Sequence, residues 1–173
     1  MEQQKVPYIS LIGPSESQCT PEIYAFGELL GHCLVNKGLG IVCGGKLGFM
    51  EAVCKGGKKA ERTFWGATIG IIPGENREEA NAYCDIVIPT GMGFARNVLV
   101  VRAGEAVIAV GGGAGTISEI AYAWQFGKPI CAVEGIGGCS NEFAGKILDS
   151  RFDRPIASAR TVEDVLSWID MMY

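Results

Sequence analysis

The chain has 173 residues, 15 Lys plus Arg against 19 Asp plus Glu for a net charge of −4, and 25 glycines, roughly twice the usual share. That much glycine excludes a helical bundle, because Gly inside a helix costs about 1 kcal/mol against Ala. The absent G-X-Y period excludes collagen, the 48% hydrophobic content excludes disorder, and an acidic chain lacking a basic run is a poor nucleic-acid binder.

Residues 1–6 are polar and carry no basic-then-apolar leader pattern. Short apolar runs then alternate with helical periodicity. A strand is expected over Tyr8–Ile12, ending at Gly13-Pro14, and a helix over 21–37 with Thr20-Pro21 as cap and first turn. Strand Gly40–Cys43 leads to a helix over 49–60, then a strand over 67–72 and a polar loop over 75–82. A strand over 85–88 is followed by a helix over 95–103, strand Ala106–Val110 and a helix over 118–126 stopped by Gly127 and Pro129. The last elements are strand Ile130–Val133, a short helix over 143–148, a strand over 156–159 and a helix over 162–171 capped by Thr161 with Asp164.

Strands of four or five apolar residues separated by helices imply an α/β, Rossmann-like single domain over residues 1–173. Its parallel sheet has about seven strands, with helices on both faces. The seven cysteines are odd in number, form no CxxC and sit mostly in apolar runs, which reads as reduced thiols of a cytoplasmic protein. With His32 the only histidine, and placed beside Leu29, Leu30 and Leu34, no metal cage is expected, and a Ser-His-Asp hydrolase has no G-x-S-x-G elbow. Lys55, Lys58, Lys59 and Arg62 read as the basic end of a helix. No apolar run reaches the ~20 residues that cross a bilayer, so no membrane partner is expected.

Seven of the glycines lie in 38–57 and seven in 91–115. Both segments hold strand-to-helix turns, where open parallel sheets bind ligands and a helix start offers free N–H groups to a phosphate. The sharper turn is Gly111-Gly112-Gly113-Ala114-Gly115-Thr116, with Thr116-x-x-Glu119 also readable as a capping box. The other, Gly44-Gly45-Lys46-Leu47-Gly48, lacks the Ser or Thr of a Walker loop; Gly13-Pro14-Ser15 supplies a third. Arg96 opens a helix that is apolar all round and expected to be buried. A cation there opposes the dipole and asks for an anion, either a ligand or an ion-pair partner.

These residues resemble a known family. Gly44-Gly45-x-x-Gly48-x-Met50, Ile72-Pro73-Gly74, Arg96 and Gly112-Gly113-x-Gly115-Thr116-x-x-Glu119 look like the signature set of the LONELY GUY superfamily. Met50-Glu51-Ala52-Val53, the Ala80-Asn81-Ala82-Tyr83 loop and Ile88-Pro89-Thr90-Gly91-x-Gly93-x-Ala95-Arg96-Asn97 are most similar to its molybdenum-cofactor carrier branch, often labelled lysine decarboxylase, although no pyridoxal-binding pattern is present. The resemblance implies two readings. One is a binding protein for a phosphate-bearing small molecule, a molybdopterin-type cofactor or a nucleotide, lined by Gly13, Ser15, Gly44, Gly45, Gly48, Met50, Asn97, Gly112, Gly113, Gly115 and Thr116. The other is a phosphoribohydrolase that cleaves a nucleoside 5′-monophosphate to free base and ribose 5-phosphate, with Arg96 and Glu119 as the catalytic pair.

In that enzyme branch a Pro stands where this chain has Gly111, and an Arg-Lys pair where it has Arg96-Asn97. A third possibility, a nicotinamide oxidoreductase with Glu134 on the ribose, fits poorly because the loop is not G-x-G-x-x-G. The resemblance also implies a homodimer or tetramer with the Arg96 helix near the interface.

Overall fold

Apolar runs too short for helices and buried on both sides become strands of a parallel sheet. In the computed structural model, which describes residues 6–172, seven such strands form: β1 Tyr8–Ile12, β2 Gly40–Cys43, β3 Thr68–Ile72, β4 Ile86–Pro89, β5 Ala106–Val110, β6 Ile130–Val133 and β7 Ala157–Ala159. Every pairing is parallel and the spatial order is β4-β3-β2-β1-β5-β6-β7. This is the Rossmann-like sheet that the alternation predicts. Residues 1–5 of the polar N-terminal segment lie outside the described residues.

Side chains leave a strand on alternate faces, and the core divides accordingly. Ile9, Leu11, Ile108 and Val110 pack with Leu30 and Leu34 of α1 (Pro21–Asn36), Val53 of α2 (Phe49–Lys59) and Val165 of α6 (Val162–Asp170). Ile12, Val107 and Ala109 pack on the other face against Val100 and Val101 of α3 (Asn97–Ala103) and Ile120 and Trp124 of α4 (Ala114–Gln125). Two of the caps form as expected. Thr20 Oγ1 accepts the Ile23 N–H at 3.2 Å, and Thr161 and Asp164 bond reciprocally.

Several glycines serve helix packing rather than turns. A Cβ on Gly31 would collide with the Val53 carbonyl, and one on Gly56 with the Glu28 carbonyl, so these residues let α1 and α2 touch backbone to backbone. The basic end of α2 is engaged in ion pairs, Lys55 and Lys59 with Glu28, and Lys58 with Asp85. His32 is half-buried, its Nε2 3.1 Å from the Asn36 amide nitrogen and 3.5 Å from Glu61. All seven cysteines are free thiols; Cys43, Cys54 and Cys84 form a chain with Sγ separations of 3.6 and 3.8 Å.

Four local expectations need correction. The helix expected over 118–126 starts at Ala114, because Ala114 and Gly115 wind into its first turn. Gly113 is therefore the N-cap, and Thr116-x-x-Glu119 is not a capping box. The short helix expected over 143–148 is α5, Ser140–Phe143. The helix expected over 95–103 is a 3-10 turn, Gly93–Arg96, continuing into α3. Finally, α3 is not buried all round: Val100 and Val101 are, but Leu99 is 37% exposed.

Candidate functional site

The sheet changes direction between β1 and β5. From β1 the chain builds outward through β2, β3 and β4, then crosses back to β5 and builds the other way. The turns leaving β1 and β5 therefore diverge and leave a crevice at the carboxyl ends of the strands. A cavity of about 170 Å³ lies there. Gly13 and Ser15 line it from the turn after β1, Gly44 and Met50 from the turn after β2, and Arg96 and Asn97 from the start of α3. Gly113, Gly115, Thr116 and Glu119 close it from the start of α4. Ten of the residues singled out in the sequence thus meet around one space.

Gly45, Gly48 and Gly112 do not line the cavity; they shape its walls. Gly45 (φ +68°) lies against Gly70 and Ile72, and its carbonyl accepts the Asn81 N–H at 2.8 Å. Gly48 (φ +82°) approaches the Ser15–Glu16 backbone so closely that a Cβ would sit 2.6 Å from the Glu16 nitrogen. The Gly112 carbonyl accepts the Cys139 N–H at 2.9 Å.

Four residues that the sequence did not single out as site residues also matter. Gln18 and Phe94 line the cavity. Ser140 is fully buried, and its hydroxyl accepts the Gly111 N–H at 2.7 Å while donating to the Val133 carbonyl at 2.6 Å. The Asn81 amide donates to the Lys46 carbonyl at 3.1 Å and accepts the Tyr83 N–H at 3.0 Å, fixing the turn after β2.

Glu119 and Arg96 face each other at 3.6 Å, with only 6% and 9% of each residue exposed. Burial pushes the Glu119 carboxyl up to about 8, more than the opposing pull of Arg96 lowers it. Burial also pushes Arg96 below its ordinary value, against the pull of Glu119. An arginine stays protonated nonetheless, so near neutral pH the pair is a cation beside a largely neutral acid. The guanidinium donates to the Asn97 Oδ1 and, at 3.3 Å, to the Gly44 carbonyl. Its Nε is buried with no acceptor among the described residues. A buried donor left unpaired costs about 1–3 kcal/mol, so the site is short of an acceptor.

The position taken by Lys in the enzyme pattern is filled by a buried neutral amide. Asn97 Nδ2 donates to the Ser118 hydroxyl at 2.9 Å and faces the Gly115 carbonyl at 3.4 Å. Gly111 has φ +59°, whereas a Pro there would be locked near −65°. At α4 the earliest helical acceptor is the Gly113 carbonyl, reached by the Ile117 N–H at 2.9 Å; the amides of the first turn have no partner within the helix. Among the described residues no group of three or more His, Cys, Asp or Glu is placed to hold a metal ion, and no helix is long and apolar enough to cross a membrane.

A doubly wound parallel sheet with the G-G-x-G-T-x-x-E turn at its point of reversal defines a Rossmann-like domain of the LONELY GUY type. Residues 6–166 match the SLOG cluster4 family (LDcluster4), and the chain belongs to that family. An uncharacterized protein of Archaeoglobus fulgidus is 39% identical over 130 residues, covering 75% of this chain and 82% of that one. The crystal structure of TM1055, a structural-genomics target, superposes with a TM-score of 0.86 at 31% identity, over 96% of this chain and 99% of that one. The molybdenum cofactor binding protein of the phototrophic bacterium Rippkaea orientalis gives 0.84 at 32%, over 98% and 99%. The molybdenum cofactor carrier protein of Chlamydomonas reinhardtii gives 0.80 at 28%, over 96% and 98%.

Proposed function

We propose that this protein binds a phosphate-bearing small molecule of the molybdopterin type and holds it without hydrolysing it. The observation that carries the reading is Arg96, a buried cation on the cavity wall whose Nε has no acceptor among the described residues. A phosphate in the cavity would supply the anion that a buried guanidinium calls for. Ala114, Gly115 and Thr116 of the first turn of α4 line the same cavity, their amides have no partner within the helix, and the helix dipole favours an anion there. A protonated Glu119 adds a donor rather than a repelling charge. The donor set therefore suits the phosphate monoester of a molybdopterin-type cofactor, with Arg96, Thr116 and the α4 amides as its holders. The similarity to proteins described as binding or carrying the molybdenum cofactor supports the same reading.

The phosphoribohydrolase reading needs an ionised carboxylate to stabilise positive charge at the sugar carbon. Glu119 is largely protonated near pH 7, and Gly111 and Asn97 replace the Pro and Lys of the enzyme pattern. Calorimetric titration with the molybdopterin-type cofactor and with nucleoside monophosphates tests the proposal. Binding should weaken about 10- to 150-fold in Arg96→Ala, the range for hydrogen bonds to charged groups. Nucleoside monophosphates should release no free base. Unchanged affinity in Arg96→Ala, or base release that disappears in Glu119→Gln, overturns it.

A further inference from the structure

Phe94 is the exposed aromatic on the cavity wall. It lies two residues before Arg96 and is 89% exposed. The turn that displays it is tied down at several points. The Thr90 hydroxyl donates to the Ile72 carbonyl at 2.8 Å, the Gly93 N–H to the Pro73 carbonyl at 3.0 Å, and the Gly91 N–H to the Gly74 carbonyl at 3.0 Å. Gly93 is glycine for its φ of +56° and not for want of space, since a Cβ there would meet nothing within 4 Å. A fixed backbone thus presents an apolar ring beside a cavity that holds the buried polar groups Arg96, Asn97, Thr116 and Glu119.

The size of that cavity limits what goes inside. At about 170 Å³ it is smaller than the roughly 300–1,000 Å³ of sites that enclose a drug-sized ligand. A phosphate and its nearest carbons fit, and the remainder of a larger ligand must stay outside. We propose that the remainder is a flat heteroaromatic ring and that Phe94 is the platform on which it stacks. Phe94 is then the residue that makes this cavity select phosphate esters of ring systems, such as pterins or nucleobases, over plain sugar phosphates. This rests on the reading of the cavity as a phosphate site and adds the orientation of the ligand to it. The Gln18 amide, 3.2 Å from where a Gly113 Cβ would stand, is a second group on the rim that can both donate to and accept from a ring edge.

The test compares three probes on wild type and on Phe94→Ala, Phe94→Leu and Phe94→Trp: guanosine 5′-monophosphate, ribose 5-phosphate and guanosine. Calorimetry gives the affinities, and sedimentation gives the assembly state of each variant. In wild type the nucleotide should bind more tightly than the sugar phosphate. The ratio of the two affinities should fall about 5- to 150-fold in Phe94→Ala, the range of one base–aromatic stack, remain low in Phe94→Leu and recover in Phe94→Trp. An equal ratio in wild type, a ratio unmoved by Phe94→Ala, or recovery in Phe94→Leu overturns the proposal. So does a variant that changes assembly state with the ratio unchanged, which makes Phe94 an interface residue. If ribose 5-phosphate fails to bind while guanosine binds in a Phe94-dependent way, the phosphate reading fails and the ring platform stands. Wild type that binds none of the three overturns both.

Discussion

Glu119→Gln separates the cost of burying an acid from the benefit of keeping it protonated. The Glu119 carboxyl moves from an ordinary value of 4.5 to about 8 because it is buried. A raised value means that the folded state holds the proton more tightly than the unfolded one. The resulting stability is fully present below pH 4.5 and is lost as pH rises through about 8. At about 1.4 kcal/mol per unit, the whole shift is worth about 5 kcal/mol, of which about 3 kcal/mol falls between pH 5 and 8. Gln mimics the protonated acid and does not titrate. Urea unfolding of both proteins at pH 5, 6, 7 and 8 should show wild type losing about 3 kcal/mol relative to Glu119→Gln across the series. Parallel stability profiles would refute the reasoning and place an ionised carboxylate against Arg96.

Phosphate binding should weaken as pH rises above about 8, where Glu119 ionises into the anion's site, and Glu119→Gln should flatten that dependence in a calorimetric pH series. Gly111→Pro should destabilise the fold by about 3 kcal/mol or more in a urea melt, since φ +59° is closed to proline; a stable variant would mean that the turn readily takes the enzyme-type conformation. Ser140→Ala should cost about 1–3 kcal/mol by leaving the Gly111 N–H and the Val133 carbonyl without their shared hydroxyl, as read by thermal unfolding. Leu99 and Ile117, 37% and 42% exposed on the adjacent helices α3 and α4, suit the contact between copies that the family resemblance implies. Sedimentation should find an oligomer that Leu99→Glu weakens, and a stable wild-type monomer would rule it out.

The strands and the parallel sheet follow from features that a sequence displays openly. Ala106–Val110 has no polar residue and ends at three glycines, and such a run has nowhere to go but the middle of a parallel sheet. The residues around the cavity were legible for the same reason, being clustered at the ends of these strands. Helix starts were harder to read. Ala114 and Gly115 have the composition of a turn, but the four unpaired amides of a helix start tolerate glycine, so the helix begins early. Glycine count alone also misleads. Gly31 and Gly56 are small because two helix backbones touch, which depends on partners far away in the chain. Ser140 gave no local signal, because its hydroxyl meets the Gly111 N–H of a turn 29 residues away. Phe94 could have been found as a large apolar residue between turn glycines, immediately upstream of an arginine that must be anchored.

The order of the strands has a consequence for how the protein opens. Residues from after β1, after β2, before α3 and within α4 share the cavity, and β1 beside β5 is the seam where the two wings of the sheet join. The cavity's lining runs from Leu11 to Glu119 and draws on both wings. A molecule seated in it therefore acts as a clasp across the seam, adding its binding free energy to the cohesion of both wings at once. Occupancy of one small pocket becomes resistance to proteolysis on both sides of the seam.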